Sequence, residues 1–254
     1  MTEGGELLGI DKDPQAVATG EELADSDGRF HIRRGSFADL TEMVSSLGWQ
    51  GVDGILMDLG VSSPQLDDAA RGFSFLRDGP LDMRMGLAEA TAAELLQRAS
   101  IKEVAAALRD GADFSRRDAR KIAVAILKEP IPTSTTLLAD RVRAISLEEE
   151  DCSDDDAVKR AMQALRIIVN GEFAALDELL ASLPDILAPG GRAVFLTFHS
   201  GEDRRVKKSL KKGIASGIYA DAARRPVRPS PQERRANSRS GCCKLRWCVR
   251  ALDS

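Results

Sequence analysis

Gly54-Ile-Leu-Met-Asp-Leu-Gly-Val-Ser-Ser-Pro-Gln-Leu-Asp67 continues, after three small or acidic residues, into Arg71-Gly-Phe-Ser-Phe-Leu-Arg-Asp-Gly-Pro-Leu-Asp-Met-Arg-Met85. The stretch is entered through an apolar run, Val52 to Met57, that reads as a buried strand. Asp58 ends the run. Gly60, Ser62, Ser63 and Pro64 then force a turn. Beyond it, acids, arginines, phenylalanines and methionines follow with neither a helical nor a strand period. Core packing never requires such a segment. A long unperiodic loop after a buried strand is where an open α/β sheet places its ligand.

Upstream, Glu6-Leu-Leu-Gly-Ile10 reads as a strand, and Asp11-Lys-Asp-Pro14 leads into a helix with proline in its first turn. Phe30-His-Ile-Arg33 is a third strand, and Gly35-Ser-Phe-Ala-Asp-Leu40 enters a helix that reaches Leu47. Strands alternating with helices at this spacing predict a parallel sheet. Downstream the texture changes. Thr91-Ala-Ala-Glu94 is a capping box. Four short helices follow, to Ala99, over 102–110, over 116–128 and over 135–145, with no strands among them. An all-helical insertion over 86–155 is therefore expected, ending in an acidic linker, Leu147 to Asp156. Residues 1–85 and 156–254 would form the two parts of the α/β core. Apolar positions from Val158 to Leu183 at helical spacing predict one helix docked on the sheet, and Ala188-Pro-Gly-Gly191 predicts a turn. Arg192 to Phe198 is a second buried strand, ending in the polar cluster His199-Ser-Gly-Glu-Asp-Arg-Arg205, at the same sheet edge as Asp58. Lys207 to Ile214 reads as a basic helix, Arg224 to Arg239 as an extended loop, and Lys244 to Ala251 as a closing strand.

The net charge of -4 hides an asymmetry. From Arg204 to Arg250 there are 15 Lys and Arg against two acids, Asp221 and Glu233, and the rest of the chain is acidic. A basic arm on an acidic body suits a polyanion, although a solvated surface would look the same. Aromatics make up 4% of the chain, too few for a base-stacking platform as the main architecture. Cys152, Cys242, Cys243 and Cys248 form no Cys-x-x-Cys pair and lie far from His31 in sequence, so reduced thiols are expected and no metal site. No apolar run approaches the roughly 20 residues of a membrane span, and no signal peptide is visible.

The loop after Asp58 holds no catalytic triad, no metal-ligand spacing and no phosphate-binding Gly-x-x-x-x-Gly-Lys. It offers the carboxylates of Asp58, Asp67, Asp68, Asp78 and Asp82 on a Gly/Pro frame. Such groups accept hydrogen bonds from an amine and orient a polar ligand, which suits group transfer from a cofactor. Asp11, an acid at a strand end, fits a ribose diol or, equally, a helix N-cap.

These residues resemble the ribosomal RNA small-subunit methyltransferase H (MraW-like) family. The resemblance is carried by Asp58-Leu-Gly-Val-Ser-Ser-Pro-Gln-Leu-Asp67, Arg71-Gly-Phe-Ser-Phe75 and Asp78-Gly-Pro-Leu-Asp-Met-Arg-Met85. It extends through Ile10-Asp-Lys-Asp-Pro-Gln-Ala16, Gln163-Ala-Leu-Arg-Ile167, Leu187-Ala-Pro-Gly-Gly-Arg192 and Phe198-His-Ser-x-Glu-Asp-Arg204. The resemblance implies a Rossmann-like class I methyltransferase sheet and S-adenosyl-L-methionine as cofactor. The implied product is N4-methylcytidine in small-subunit ribosomal RNA. Asp11 would bind the ribose, Phe37 would lie beside the adenine, and Asp58 and Gln65 would complete the cofactor contacts. Asp58 stands where amino-group methyltransferases orient the target amine, with Asp82 and His199 as further candidates for the amine-facing or proton-accepting role. The target base must be unstacked to be reached. The implied partner is small-subunit RNA or the subunit itself, a homodimer is among the assemblies allowed, and the expected compartment is the cytoplasm, or an organelle in a eukaryote.

Three departures qualify the resemblance. The family begins with a helix, a first strand and a Gly-Gly-His loop against the methionine end of the cofactor, and nothing here matches them. In a sheet ordered 3-2-1-4-5-7-6, loss of strand one would part strands two and four, unless the two pair directly. Gly201 replaces a customary leucine, and Gly241-Cys-Cys replaces small residues. Two alternatives follow. One is a catalytically impaired RNA-binding or ribosome-assembly homologue. The other is a small-molecule methyltransferase whose basic tail is only a solvated surface.

Overall fold

β3 (Val52–Asp58) and β4 (Leu187–Thr197) pair in parallel and bring the ends of the two apolar runs side by side, Asp58 opposite Leu196. The computed structural model describes residues 4–148 and 153–252. It divides into two compact units, one formed by residues 1–60 with 173–254, the other by 61–172.

In the first unit, β1 (Leu7–Asp11) and β2 (Phe30–Arg34) pair in parallel across helix α1 (Pro14–Ser26). Asp13 caps α1 by accepting the Gln15 N–H at 3.1 Å. Helix α2 (Leu40–Ser46) leads to β3. A second sheet runs in the order β3, β4, β6 (Lys244–Arg250) and β5 (Tyr219–Ala222), with β6 antiparallel to both neighbours. Leu176, Leu179, Leu180 and Leu183 of α9 (Glu172–Ile186) share a core with Phe195 of β4 and with Val206 and Leu210 of α10 (Ser200–Ala215). Burial of each large side chain contributes about 1.5–3 kcal/mol.

The parting of the sheet expected from the departure at the start of the chain is observed. β1 and β3 belong to different sheets, and no described strand lies hydrogen-bonded between them. They share a core nonetheless, because Leu8, Ile10, Ile55 and Met57 all pack against the same cluster. β3 buries one face only: Leu56, on the other, is 69% exposed.

In the second unit, α3 (Ser63–Asp67) opens the long loop. Helices α4 (Ala92–Arg98), α5 (Ile101–Ala112), α6 (Arg116–Ile126), α7 (Thr135–Arg143) and α8 (Asp154–Asn170) build a separate core. This unit is wider than the expected insertion 86–155, because the loop supplies part of its core. Phe73, Phe75, Leu81, Met83 and Met85 are buried there. Asn170 fastens the loop, donating to the Met83 carbonyl at 2.7 Å and accepting the Met85 N–H at 2.8 Å.

Four local expectations need correction. The helix expected to run continuously to Leu183 is broken at Gly171, whose φ of 61° is the left-handed geometry of a helix end. α8 therefore belongs to the helical unit and α9 to the sheet. The turn expected at 188–191 is a bulge inside β4. Register jumps from Val52↔Leu187 to Gly54↔Arg192 around Pro189, which has no N–H to give, and Gly190 at φ 78°. The extended loop 224–239 contains α11 (Pro231–Ala236), capped by Ser230. The short edge strand β5 was not expected. The acidic linker is described in part: Asp154, Asp155 and Asp156 form the first turn of α8 on the Ser153 cap, whereas residues 149–152, Cys152 included, lie outside the described residues.

Candidate active site

Asp58 stands at the C-terminal end of β3 because the apolar run stops there, and the Leu59 N–H still donates to the Leu196 carbonyl at 3.2 Å. The neighbouring strand therefore delivers Phe198 and His199 to the same edge. α10 starts immediately, with His199 as its N-cap residue and Glu202 in its first turn. Glu202 is 3% exposed, and its Oε2 accepts the Phe198 N–H at 2.9 Å. Its Oε1 lies 3.1 Å from His199 Nε2. The distance suits an ion pair, but the ring N–H does not point at the oxygen, so neither ring nitrogen of this buried histidine has a hydrogen bond. Phe173, at the start of α9, lies against the ring with centroids 5.8 Å apart.

Asp58 is open to solvent on one side. Its enclosed side raises the carboxyl above the usual aspartate range, and the negative charge of Glu202 raises it further. Cys243, just before β6, is raised by burial, then by Cys242 and by the charges of Asp58, Glu233 and Glu202. It is therefore a poor thiolate. Cys242, Cys243 and Cys248 are all free thiols. Among the described residues no group of three or more His, Cys, Asp and Glu could hold a metal, and no helix is long and apolar enough to cross a membrane.

Asp11 lies at the C-terminal end of β1. Its Oδ1 accepts the Asp13 N–H at 2.8 Å, so Asp11 shapes the helix entry, while Asp13 is the cap. The carboxylate is exposed, and such an acceptor suits a ribose diol. Phe37 follows β2 by three residues and lies against the core of the same unit, with Lys12 Nζ 5.9 Å from its ring centre.

Gln65 and Asp82 belong to the helical unit, and both have structural work there. Gln65 completes a capping box with Ser62, accepting the Ser62 N–H at 3.0 Å through Oε1. Asp82 grips Arg84 through both carboxylate oxygens, each 2.8 Å from a guanidinium nitrogen. Burial alone would raise its carboxyl, but Arg84 and Arg71 bring it below the usual range. A carboxylate so held is a weak proton acceptor.

The structure thus brings together Asp58 and His199 of the expected residues, and adds Glu202 and Phe173. In the sequence Glu202 stands within the polar cluster 199–205 and the matching Phe198–Arg204 segment, but takes no role there because it looks like an ordinary acid in a helix's first turn. A concavity of this unit, about 660 Å³, is lined by Trp49, Pro184, Leu187 and Arg250 at the opposite end of β3 and β4. Ligands of parallel sheets commonly bind at the carboxyl ends, and the polar cluster at Asp58 lies at that edge.

Parallel strands alternating with helices, two of them ending in the exposed carboxylates Asp11 and Asp58, fit a Rossmann-like class I methyltransferase. The profile of the MraW methylase family matches residues 1–251. Ribosomal RNA small subunit methyltransferase H of Alcanivorax borkumensis is 48% identical over 214 residues, covering 83% of this chain and 67% of that protein. The protein of the same name from Shewanella sediminis is 40% identical over 98% of this chain and 85% of its own length. That of Methylococcus capsulatus is 42% identical over 95% and 85%. The chain belongs to the MraW methylase family.

Proposed function

We propose that the chain transfers a methyl group from S-adenosyl-L-methionine to the exocyclic N4 of a cytosine in small-subunit ribosomal RNA. The observation that carries this reading is the pairing of Asp58 with the His199–Glu202 cluster at adjacent carboxyl ends of β3 and β4. The donor set fits the cofactor. The exposed carboxylate of Asp11 suits the ribose, and the ring of Phe37 offers an apolar face to the adenine. When bound, the cofactor supplies an electrophilic methyl group on a positively charged sulfur. Gln65 is kept as a cofactor contact and Asp82 as an amine-facing candidate, both subordinate to the structural work described above.

The protein's own contribution is positioning. Ionised Asp58 accepts a hydrogen bond from the target amine, holding its nitrogen lone pair toward the methyl group. The RNA partner is held electrostatically. Lys207, Lys208, Lys211 and Lys212 are exposed on α10, which starts at the site itself. Such a face follows a phosphate backbone, and its contribution weakens as salt rises.

The test is methyl incorporation into a small-subunit RNA fragment, read by mass spectrometry of the nucleosides. N4-methylcytidine formed by the chain and lost in Asp58→Ala supports the proposal. Salt-sensitive RNA binding with no cofactor binding and no methyl incorporation would favour an assembly factor instead.

A further inference from the structure

The connection from β5 to β6 leaves the sheet at the edge where Asp58 stands. A single row crosses the sheet there. Asp58 pairs with Leu196, Leu196 with Leu245, and Leu245 with Val227, these last two exchanging both backbone hydrogen bonds at 2.9 Å. Neighbouring strands lie about 4.8 Å apart, so about 14 Å separates Asp58 from Val227. β3 and β4 end on the carboxyl side of this row. The chain from Arg228 to Cys243 passes from one side of β6 to its start on that same side, because β6 runs antiparallel to β4. The Cys243 thiol accordingly feels the charges of both Asp58 and Glu233, the acid of α11.

Nothing in the core calls for this connection. Every residue of α11 is exposed, and a helix of its length without packing is marginal by propensity alone. Local devices hold it instead. Ser230 accepts the Glu233 N–H at 3.1 Å, Asn237 accepts the Arg239 N–H at 3.1 Å, and Pro226, Pro229 and Pro231 fix the backbone around them. The segment 224–239 is therefore stiffened while burying almost nothing. It carries six arginines, no lysine and one acid. Arg224, Arg225, Arg228, Arg234 and Arg235 are exposed, and among the described residues none of their side chains makes an ion pair or a hydrogen bond. A surface that only keeps a protein in solution mixes both signs of charge. A field of one sign attracts a polyanion, and the guanidinium fork matches two oxygens of one phosphate.

We propose that residues 224–239 form an arginine clamp that grips the phosphates flanking the target cytosine, on the side of the sheet edge away from β3. The target base must leave its stack to reach Asp58, so the strand beside it is single and its phosphates are free to be followed. The prolines and caps set the arginines in place before RNA arrives, which lowers the ordering cost of binding. The lysines of α10 and the arginines of the clamp are then separate contributions to one RNA surface. The inference rests on the methyl-transfer reading for what lies at Asp58.

The test uses the full chain and a small-subunit RNA fragment. RNA should slow amide hydrogen exchange across 228–239, read by mass spectrometry. Arg228→Gln, Arg234→Gln and Arg235→Gln, combined in one variant, should weaken RNA binding at least about 10-fold. The log–log slope of RNA affinity against salt should flatten by about 2, at roughly 0.7 for each phosphate no longer neutralised. Affinity for S-adenosyl-L-methionine should stay the same. The thermal midpoint should also hold, because none of the three side chains is buried. Unchanged RNA affinity and slope in the triple variant, or no protection of 228–239 by RNA, would overturn the clamp. Protection and the slope change in place, with no N4-methylcytidine made by the parent, would overturn the methyl-transfer reading instead.

Discussion

Asp58 carries two demands that pull against each other. It must be ionised to accept a hydrogen bond from an amine, yet its enclosed side and Glu202 favour the neutral carboxyl. Its folded-state value lies above its unfolded one, so its ionisation opposes folding as pH rises through that raised value. Asp58→Asn should therefore leave the melting temperature unchanged or higher at neutral pH in a thermal scan. The same substitution should lower methyl transfer by about 100-fold or more. The acid limb of kcat/KM should lie above the ordinary aspartate range, because the carboxyl protonates early as pH falls. Asp58 and His199 were legible in the sequence because each ends an apolar run at a polar break. Glu202 was legible as a member of the same cluster, but its contacts with Phe198 and His199 were not. The capping of Ser62 by Gln65 and the grip of Asp82 on Arg84 were equally invisible, since both are local geometries that a motif does not display.

At the scale of elements, α10 and β6 are tied by a buried ion pair. Arg246 donates from Nε to Asp203 Oδ1 at 2.7 Å and from Nη2 to Oδ2 at 3.2 Å. Burial would raise the Asp203 carboxyl, but Arg246, Lys244 and Lys207 lower it below the usual range. Its contribution to stability is therefore present above the ordinary aspartate value, and is lost as pH falls through the lowered one. Asp203→Asn, which leaves the Arg246 charge buried, should cost about 3–5 kcal/mol in urea unfolding at neutral pH, and the difference should shrink toward pH 3. In the other unit, Asn170→Ala removes both fastenings of the loop at Met83 and Met85 and should cost about 2–4 kcal/mol. Most helices were legible from caps and periodicity, with Thr91 starting one as a capping box; the second box, at Ser100, was found in the structure. The α8–α9 break was not, because the apolar spacing continues across Gly171 while the two helices serve different cores.

Over the whole molecule, the division into units follows where the loop after β3 buries its apolar side chains. Phe73, Phe75 and Met83 join the helical core, and the unit begins at Val61. The parallel pairing of β1 with β2 was legible from the alternation of strands and helices. β5 was too short to be read, at four residues. The parted sheets bear directly on cofactor affinity, because a class I site is framed by the ends of successive parallel strands. Charge belongs to this scale too. Replacing Lys207, Lys208, Lys211 and Lys212 with glutamine should flatten the dependence of RNA affinity on salt, by roughly 0.7 in log–log slope for each phosphate that is no longer neutralised. Affinity for S-adenosyl-L-methionine should be unaffected, as calorimetry would show.

The most direct measurement is transfer of an isotopically labelled methyl group from S-adenosyl-L-methionine to small-subunit RNA by the full chain, with nucleoside mass spectrometry locating the label. The account predicts label on N4 of cytidine, dependent on Asp58. Label on another atom, or transfer that survives Asp58→Ala undiminished, would contradict it.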